Sequence, residues 1–551
     1  VEAALSEDRA SQKLVRHFRQ TLLWPLQLMP IREGAQVQNH WEVLEQGGGQ
    51  HPWTRLLDEL DDPARFTERH YGEFVTFLPY VQRFLYGEGQ AAGGGSRRAS
   101  PVRVFRRSDV AGVRITPREG QAPLTLRVDH VDLYFFFDID VVLLAVEIYG
   151  ENLALAEAQD ILYRFGRAYP AGWDEHGQGM HCMHRTEWLG TDGRALASSD
   201  FEAREAYLDF VRAHRVPRIA AHWAFLLRPL VLDHADEPGA IRYRQLEYHR
   251  LPTMAYLAMD DPRALSRADF VRLGLVTAAG DGLPYNERYV SDFERRYCFD
   301  RHWNTSDGTN TRVMCSGHAL VVVGEATSPR FTDPERGALA RFRHQYFLLF
   351  LIAHFQKAAL LMFSDRLVNA LNGMEVHNPE SVKRFKRVIR QNFEIFLRFM
   401  HRYWFHDVSD EAQAKALFLM TASHLGSNAL FEEVQEEIGE MSQYLDSDSL
   451  RRQANTVVRL TVVTTVGLIG TLTTGLLGVN LIAAADSSPL VKLAYVLLSV
   501  IPMAWLTLYS VVKSKRLSDF LEILSDERVS SRAKLGALRD VWRTRRSRRS
   551  G

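Results

Sequence analysis

Cysteine is scarce, with three in 551 residues. Three thiols cannot build a disulfide framework, so a reducing compartment is expected for the bulk of the chain. Net charge is also lacking, since 67 Lys and Arg stand against 67 Asp and Glu. That balance excludes a general binder of nucleic acid. Charged residues at 24% and a mean hydropathy of −0.20 exclude both a polytopic membrane protein and a disordered chain. The stretch 1–20 is too charged for a secretory leader. No phosphate-binding glycine loop, zinc-protease helix or nucleophile elbow is found, so no enzymatic activity is expected.

Charge is missing altogether from two stretches. Leu460–Ala485 is a run of 26 residues without a formal charge, and Leu493–Val512 is another of 20. About 20 such residues cross the hydrocarbon of a bilayer as a helix. Transmembrane helices are therefore expected over 457–484 and 491–512, with an outer loop at 485–490. Arg451, Arg452 and Arg459 precede the pair, and Lys513, Lys515 and Arg516 follow it. Basic flanks of this kind place both ends of the hairpin in the cytoplasm, in an inner membrane, and Lys492 can snorkel to the outer headgroups. The basic tail 513–551, with Arg543, Arg545, Arg546, Arg548 and Arg549, suits anionic lipid.

Before the hairpin, residues 1–100 read as an N-terminal extension that ends in a Gly-rich linker at 87–100. Residues 101–335 read as a cytoplasmic α/β domain. Strands are expected at 102–106, 113–116, 124–130, 133–137, 141–149 and 313–323, and helices at 152–169, 199–215 (capped by Ser199) and 219–232. Residues 336–456 read as long helices and a stalk. Leu417, His424, Phe431, Ile438 and Leu445 recur every seven residues, which predicts packing along a partner helix or against the helix's own domain.

The first span closes with Thr474-Gly475-Leu476-Leu477-Gly478-Val479-Asn480, and Asn455–Thr461 leads into it. Here the chain resembles the CorA superfamily of divalent-cation channels and transporters, whose Gly-Met-Asn motif stands at this place. Gly478-Val479-Asn480 is the variant, closest to the zinc-transporting ZntB branch. The resemblance covers roughly residues 410–512 closely and 101–409 more weakly. It implies a funnel-shaped homopentamer of α/β domains, stalks and two spans, with Mg²⁺ or Zn²⁺ as the transported ion. It also implies that the first span lines the pore.

Physically, Gly478 permits close approach. Asn480 offers a neutral oxygen that either reads a hydrated cation or caps the helix. Stepping back at helical spacing puts Val457, Leu460, Thr464, Leu468, Thr471 and Gly475 on one face. Leu460 and Leu468 suit apolar constrictions, and Thr464 and Thr471 either hydroxyl rings or bonds to their own backbone. Asp486 is a candidate ring of outer negative charge. By the resemblance, Glu436, Glu440 and Asp446 on the acidic stalk are candidates for a regulatory divalent ion.

His176, His181, Cys182 and His184 suit Zn²⁺ or Cu²⁺ in residue type, or form a solvated polar loop. An alternative function is a CorA-like membrane effector, of the kind associated with CRISPR systems, gated by a nucleotide or other small molecule on the cytoplasmic domain.

Overall fold

The computed structural model describes residues 13–31, 39–47, 51–56, 66–89, 100–246, 250–280, 285–305, 310–375, 378–482, 488–491, 493–494, 497–498, 501–502, 505–506 and 509. Of 379, 444–452, 469, 472–473 and 476–482 it describes the backbone alone. The chain divides into two compact units, Val1–Ile438 and Gly439–Gly551.

The first unit is built on a mixed sheet. Its strands in chain order begin with Leu14–Leu28 (β1), Trp53–Arg55 (β2), Val102–Arg107 (β3), Val110–Thr116 (β4), Leu124–Phe136 (β5), Ile139–Ala154 (β6) and Arg185–Gly190 (β7). They continue with Ala195–Ser198 (β8), Val231–Leu232 (β9), Arg242–Gln245 (β10), Thr253–Met259 (β11), Cys298–His302 (β12), Thr311–Cys315 (β13) and Ala319–Glu325 (β14). Across the sheet the order runs β12-β13-β14-β11-β1-β6-β5-β4-β7-β8. Parallel pairing joins β11 to β14 and β9 to β10, and the other pairs are antiparallel. The crossover between β11 and β14 carries the helices Arg267–Leu275 and Glu287–Tyr297, as parallel pairing requires.

The strand β1 corrects the boundary expected at residue 100. Leu14–Leu28 is no part of an extension. It lies in the middle of the sheet between β6 and β11. Its charged start hides a strand that is buried continuously from Gln20 to Leu28.

Both faces of the sheet centre are covered. Val142, Leu144 and Val146 of β6 face a core that includes Trp24, Trp188 and Trp223, whose rings meet edge to face at 6.1 and 5.7 Å. Alternate residues Val141, Leu143 and Ala145 are equally buried and point the other way. On β1 and β6 packs the helix Ala338–Asn372, where Phe355 stacks on Phe136 at 3.8 Å. By length and composition it is the one described helix able to cross a membrane, yet 78% of its most apolar window is buried. It is a core helix of the sheet domain.

Other expectations shift locally. The segment 313–323 is a hairpin, β13 and β14, that turns through Gly317 at φ +77°. A Cβ there would sit 2.9 Å from the His424 backbone, so only glycine fits. Ser199 does not cap a helix. Its hydroxyl accepts from the Thr186 amide at 3.0 Å, and the helix begins at Arg204. The heptad helix is broken at Gly426, left-handed at φ +68°, into Ala412–Leu425 and Ser427–Ile482. Leu417, Val434 and Ile438 are buried within their own unit, and Phe431 stacks on Trp404 at 4.3 Å. The seam as far as Ile438 is satisfied inside one chain.

In the second unit the helix continues to Ile482. Gly478, Val479 and Asn480 lie on its last turns by backbone, their side chains outside the described residues, as is that of Asp446. Asp486 and the tail 513–551 also lie outside the described residues.

Candidate functional site

Two irregularities in otherwise regular elements meet at one place in the sheet domain. The first is in β5, whose register against β6 slips between Val128 and His130, leaving Asp129 as an extra residue. Such a bulge re-aims side chains that strict alternation would separate. Asp129 and His130 thereby both reach Glu147, which lies opposite His130 on β6. The second is a π-helical turn, Phe342–Tyr346, running directly into Phe347–Asn372. Turns of this type recur at functional sites because the widened turn redirects side chains. This one brings Arg343 and His344 to the same space.

The resulting cluster is dense in charge. Arg343 Nη2 is 2.6 Å from Asp129 Oδ2, and its Nε is 3.4 Å from Glu147 Oε1. From β1, Arg19 Nη1 reaches Glu147 Oε1 at 2.6 Å and Asp129 Oδ1 at 3.5 Å. His130 Nδ1 lies 3.1 Å from Asp129 and 3.4 Å from Glu147. Two residues beyond His130, Asp132 takes a two-pronged pair from Arg106 at 2.8 and 2.7 Å.

Burial alone would raise the Asp129 carboxyl. The bond with His130 and the charges of Arg343, His130 and Arg19 override it and hold the group well below the usual carboxylate range. For His130, burial opposes the charged form, but the bond to Asp129 and the charges of Asp132 and Glu147 outweigh it and raise the imidazole.

Asp129, His130 and Glu147 offer ligand atoms within 4.8 Å of one another, the spacing of a metal centre. Their chemistry points elsewhere. Arg19 and Arg343 already occupy both carboxylates, and a cation would have to displace two guanidinium groups. The cluster is an ion-pair network.

In front of it opens a cavity of about 700 Å³, within the range of small-molecule sites. Arg69, His70 and Glu73 reach it from the helix Glu68–Thr76, Phe66 from the segment just before it, and Arg103 and Arg106 from β3. Arg69 donates to the His344 ring and, at 2.7 Å, to His70 Nε2. Burial, then the charges of Arg69, Arg343, His70 and His130, push His344 down to about 3. It therefore stays neutral and able to accept.

The residues singled out from sequence do not assemble here. His176 is exposed in a turn held by Asp174, and His181 sits at φ +67° beside Tyr163. Cys182 is buried, its thiol pushed up to about 12 by burial, and His184 Nδ1 pairs with Gln178 Oε1 at 2.7 Å. Among the described residues the one convergent group of three such ligands is Asp129, His130 and Glu147, and these four are not brought together in that way.

Glu436 and Glu440 are exposed on the long helix. Val457, Leu460 and Leu468 are exposed too, and the hydroxyls of Thr464 and Thr471 donate to Leu460 and Gly467 carbonyls at 2.9 Å. A Cβ at Gly475 would meet open space.

Sequence reading passed over the actual cluster. The available signal was Glu147, a lone carboxylate inside the apolar run Val141–Ile148, together with Asp129-His130-Val131-Asp132 within a strand. No family model, no curated protein and no solved structure matches the chain.

Proposed function

We propose that the protein is an oligomeric membrane channel or transporter for a divalent cation, Mg²⁺ or Zn²⁺, on the CorA plan. The observation that carries this reading is the apolar stripe of the second unit. Val457, Leu460 and Leu468 are 62, 63 and 65% exposed along one helix, and Leu498, Ile501 and Trp505 are 72, 60 and 63% exposed. Side chains of this size in sequence require lipid or further copies of the chain to cover them. In this reading Gly478-Val479-Asn480 forms a ring of neutral oxygens at the pore mouth, able to hydrogen-bond the waters of a hydrated ion. The sheet domain and both ends of the hairpin lie on the cytoplasmic side of the inner membrane. Reconstitution into liposomes with Mg²⁺ and Zn²⁺ indicators tests it, together with mass measurement in mild detergent. A pentamer with divalent flux is expected, and a monomer without flux would overturn the reading.

A second reading, in which a nucleotide or other small molecule bound to the sheet domain gates the pore, is favoured by the cavity of about 700 Å³. Its test is the same flux measured with and without a bound ligand.

A further inference from the structure

The cavity is unevenly compensated. Four of its five lining carboxylates are engaged: Asp132 by Arg106, Asp129 and Glu147 by Arg343 and Arg19, and Glu73 by the Tyr86 hydroxyl at 2.7 Å. Among the described residues its guanidinium groups differ: Arg106 and Arg343 are paired there, whereas Arg55, Arg69 and Arg103 have no lining carboxylate nearer than 3.9 Å. Arg103 donates to the Ser100 carbonyl at 2.6 Å and has no ion pair among the described residues. Among the described residues the ion-pair partner of Arg69 is Glu335 at 3.9 Å, and that carboxylate is 66% exposed. Arg55 is held by Glu45, which is not among the cavity's lining residues.

Three cations from β2, the helix Glu68–Thr76 and β3 thus share one space. Burial and then Arg55 disfavour the charge of Arg103 against the opposing pull of Glu45, and burial and then Arg69 and Arg343 disfavour a charge on His344. Beside them lie the flat apolar faces of Phe66, Phe74 and Phe347.

We propose that this cavity binds a small phosphate monoester carrying a flat apolar group, with the phosphate on Arg55, Arg69 and Arg103 and the ring against Phe66 and Phe74. Guanidinium forks match phosphate oxygens two at a time, and a doubly charged group relieves the repulsion among three cations. The inference rests on the ligand-gated reading, and the binding measurement is independent of flux.

The test is calorimetric titration of the full chain in mild detergent. The probes are phenyl phosphate and AMP, with phenol and adenosine as their uncharged counterparts and inorganic phosphate as the bare anion. Both esters are expected to bind, at least tenfold more tightly than any of the other three. Arg103→Ala should weaken ester binding at least tenfold with the melting temperature unchanged, and Arg103→Lys should restore part of it. Absence of binding by both esters would overturn the proposal, as would adenosine binding as tightly as AMP. Inorganic phosphate equal to phenyl phosphate would overturn the ester class. Arg103→Ala and Arg69→Ala both without effect would overturn the assignment of the cavity. Ester binding with unchanged ion flux would uphold the site and overturn the gating reading alone.

Discussion

Glu147 is 2% exposed in the middle of a strand otherwise made of Val, Leu, Ile and Ala at that point. A charge so placed persists only with partners, and Arg19, Arg343 and His130 all lie within 3.4 Å. Glu147→Gln keeps the shape and removes the charge, leaving two guanidinium groups to share Asp129. Breaking one member out of a buried network costs about 3 kcal/mol, to be read from urea denaturation of the sheet domain. The same network sets a pH dependence. The carboxyl of Asp129 is depressed, so its stabilisation is present above the unfolded value near 4 and is lost only as pH falls through its lower folded value. The imidazole of His130 is raised, so its stabilisation is complete below about 6.5 and drains away as pH rises through the folded value. The melting temperature should therefore fall between mildly acid and mildly alkaline buffer. His130→Asn should flatten that slope; an unchanged slope would remove His130 from its cause.

Among elements, the junction at Gly426 is the sharpest test. It holds φ +68° between two helices, and a Cβ there would touch nothing, so the cost of a side chain is conformational alone. Gly426→Ala should lose about 1 kcal/mol in thermal unfolding, without a change in helix content by circular dichroism. Elements with strong patterning were legible from sequence. The strands 102–107 and 139–154 contain the expected 102–106 and 141–149, and the helices 347–372 and 379–402 lie within the long helices expected over 336–456. The strand β1 was not, because Arg16, His17, Arg19 and Gln20 mask its start. Burial of Gln20 is made tolerable by the Thr253 hydroxyl at 3.1 Å, a partner on β11 that no local pattern reveals. The cluster was illegible for a similar reason. It depends on one extra residue in β5 and one widened turn at 342–346, and periodicity is blind to both.

For the whole molecule, the proposed pore makes two separable demands. Asn480→Ala removes an oxygen ring while Ala still suits a helix end, so divalent flux in liposomes should collapse with assembly intact. Flux at the unsubstituted level would leave Asn480 as a helix cap and nothing more. Leu468 is 65% exposed in the single chain, and in the proposed oligomer it narrows the pore as an apolar ring. Leu468→Asn should keep that ring wet and raise the resting leak; an unchanged leak would put the gate elsewhere. The heptad residues up to Ile438 are already packed within one chain, so the contacts that hold copies together fall to other surfaces.

The central position of β1 also sets a timetable. Leu22 pairs with Val146 on one side and Thr253 on the other. At a synthesis rate of about 5–20 residues per second, the second neighbour arrives on the order of 10–50 s after the first strand has been made. For that interval a long apolar strand has one open edge, a template for pairing with other nascent chains. Recovery of the protein should thus depend on chaperone supply and rise when synthesis is slowed by cold. The charge-free runs emerge later still, after β14 has completed its side of the sheet, so in the proposed membrane reading insertion begins on a chain whose sheet domain already has every described strand.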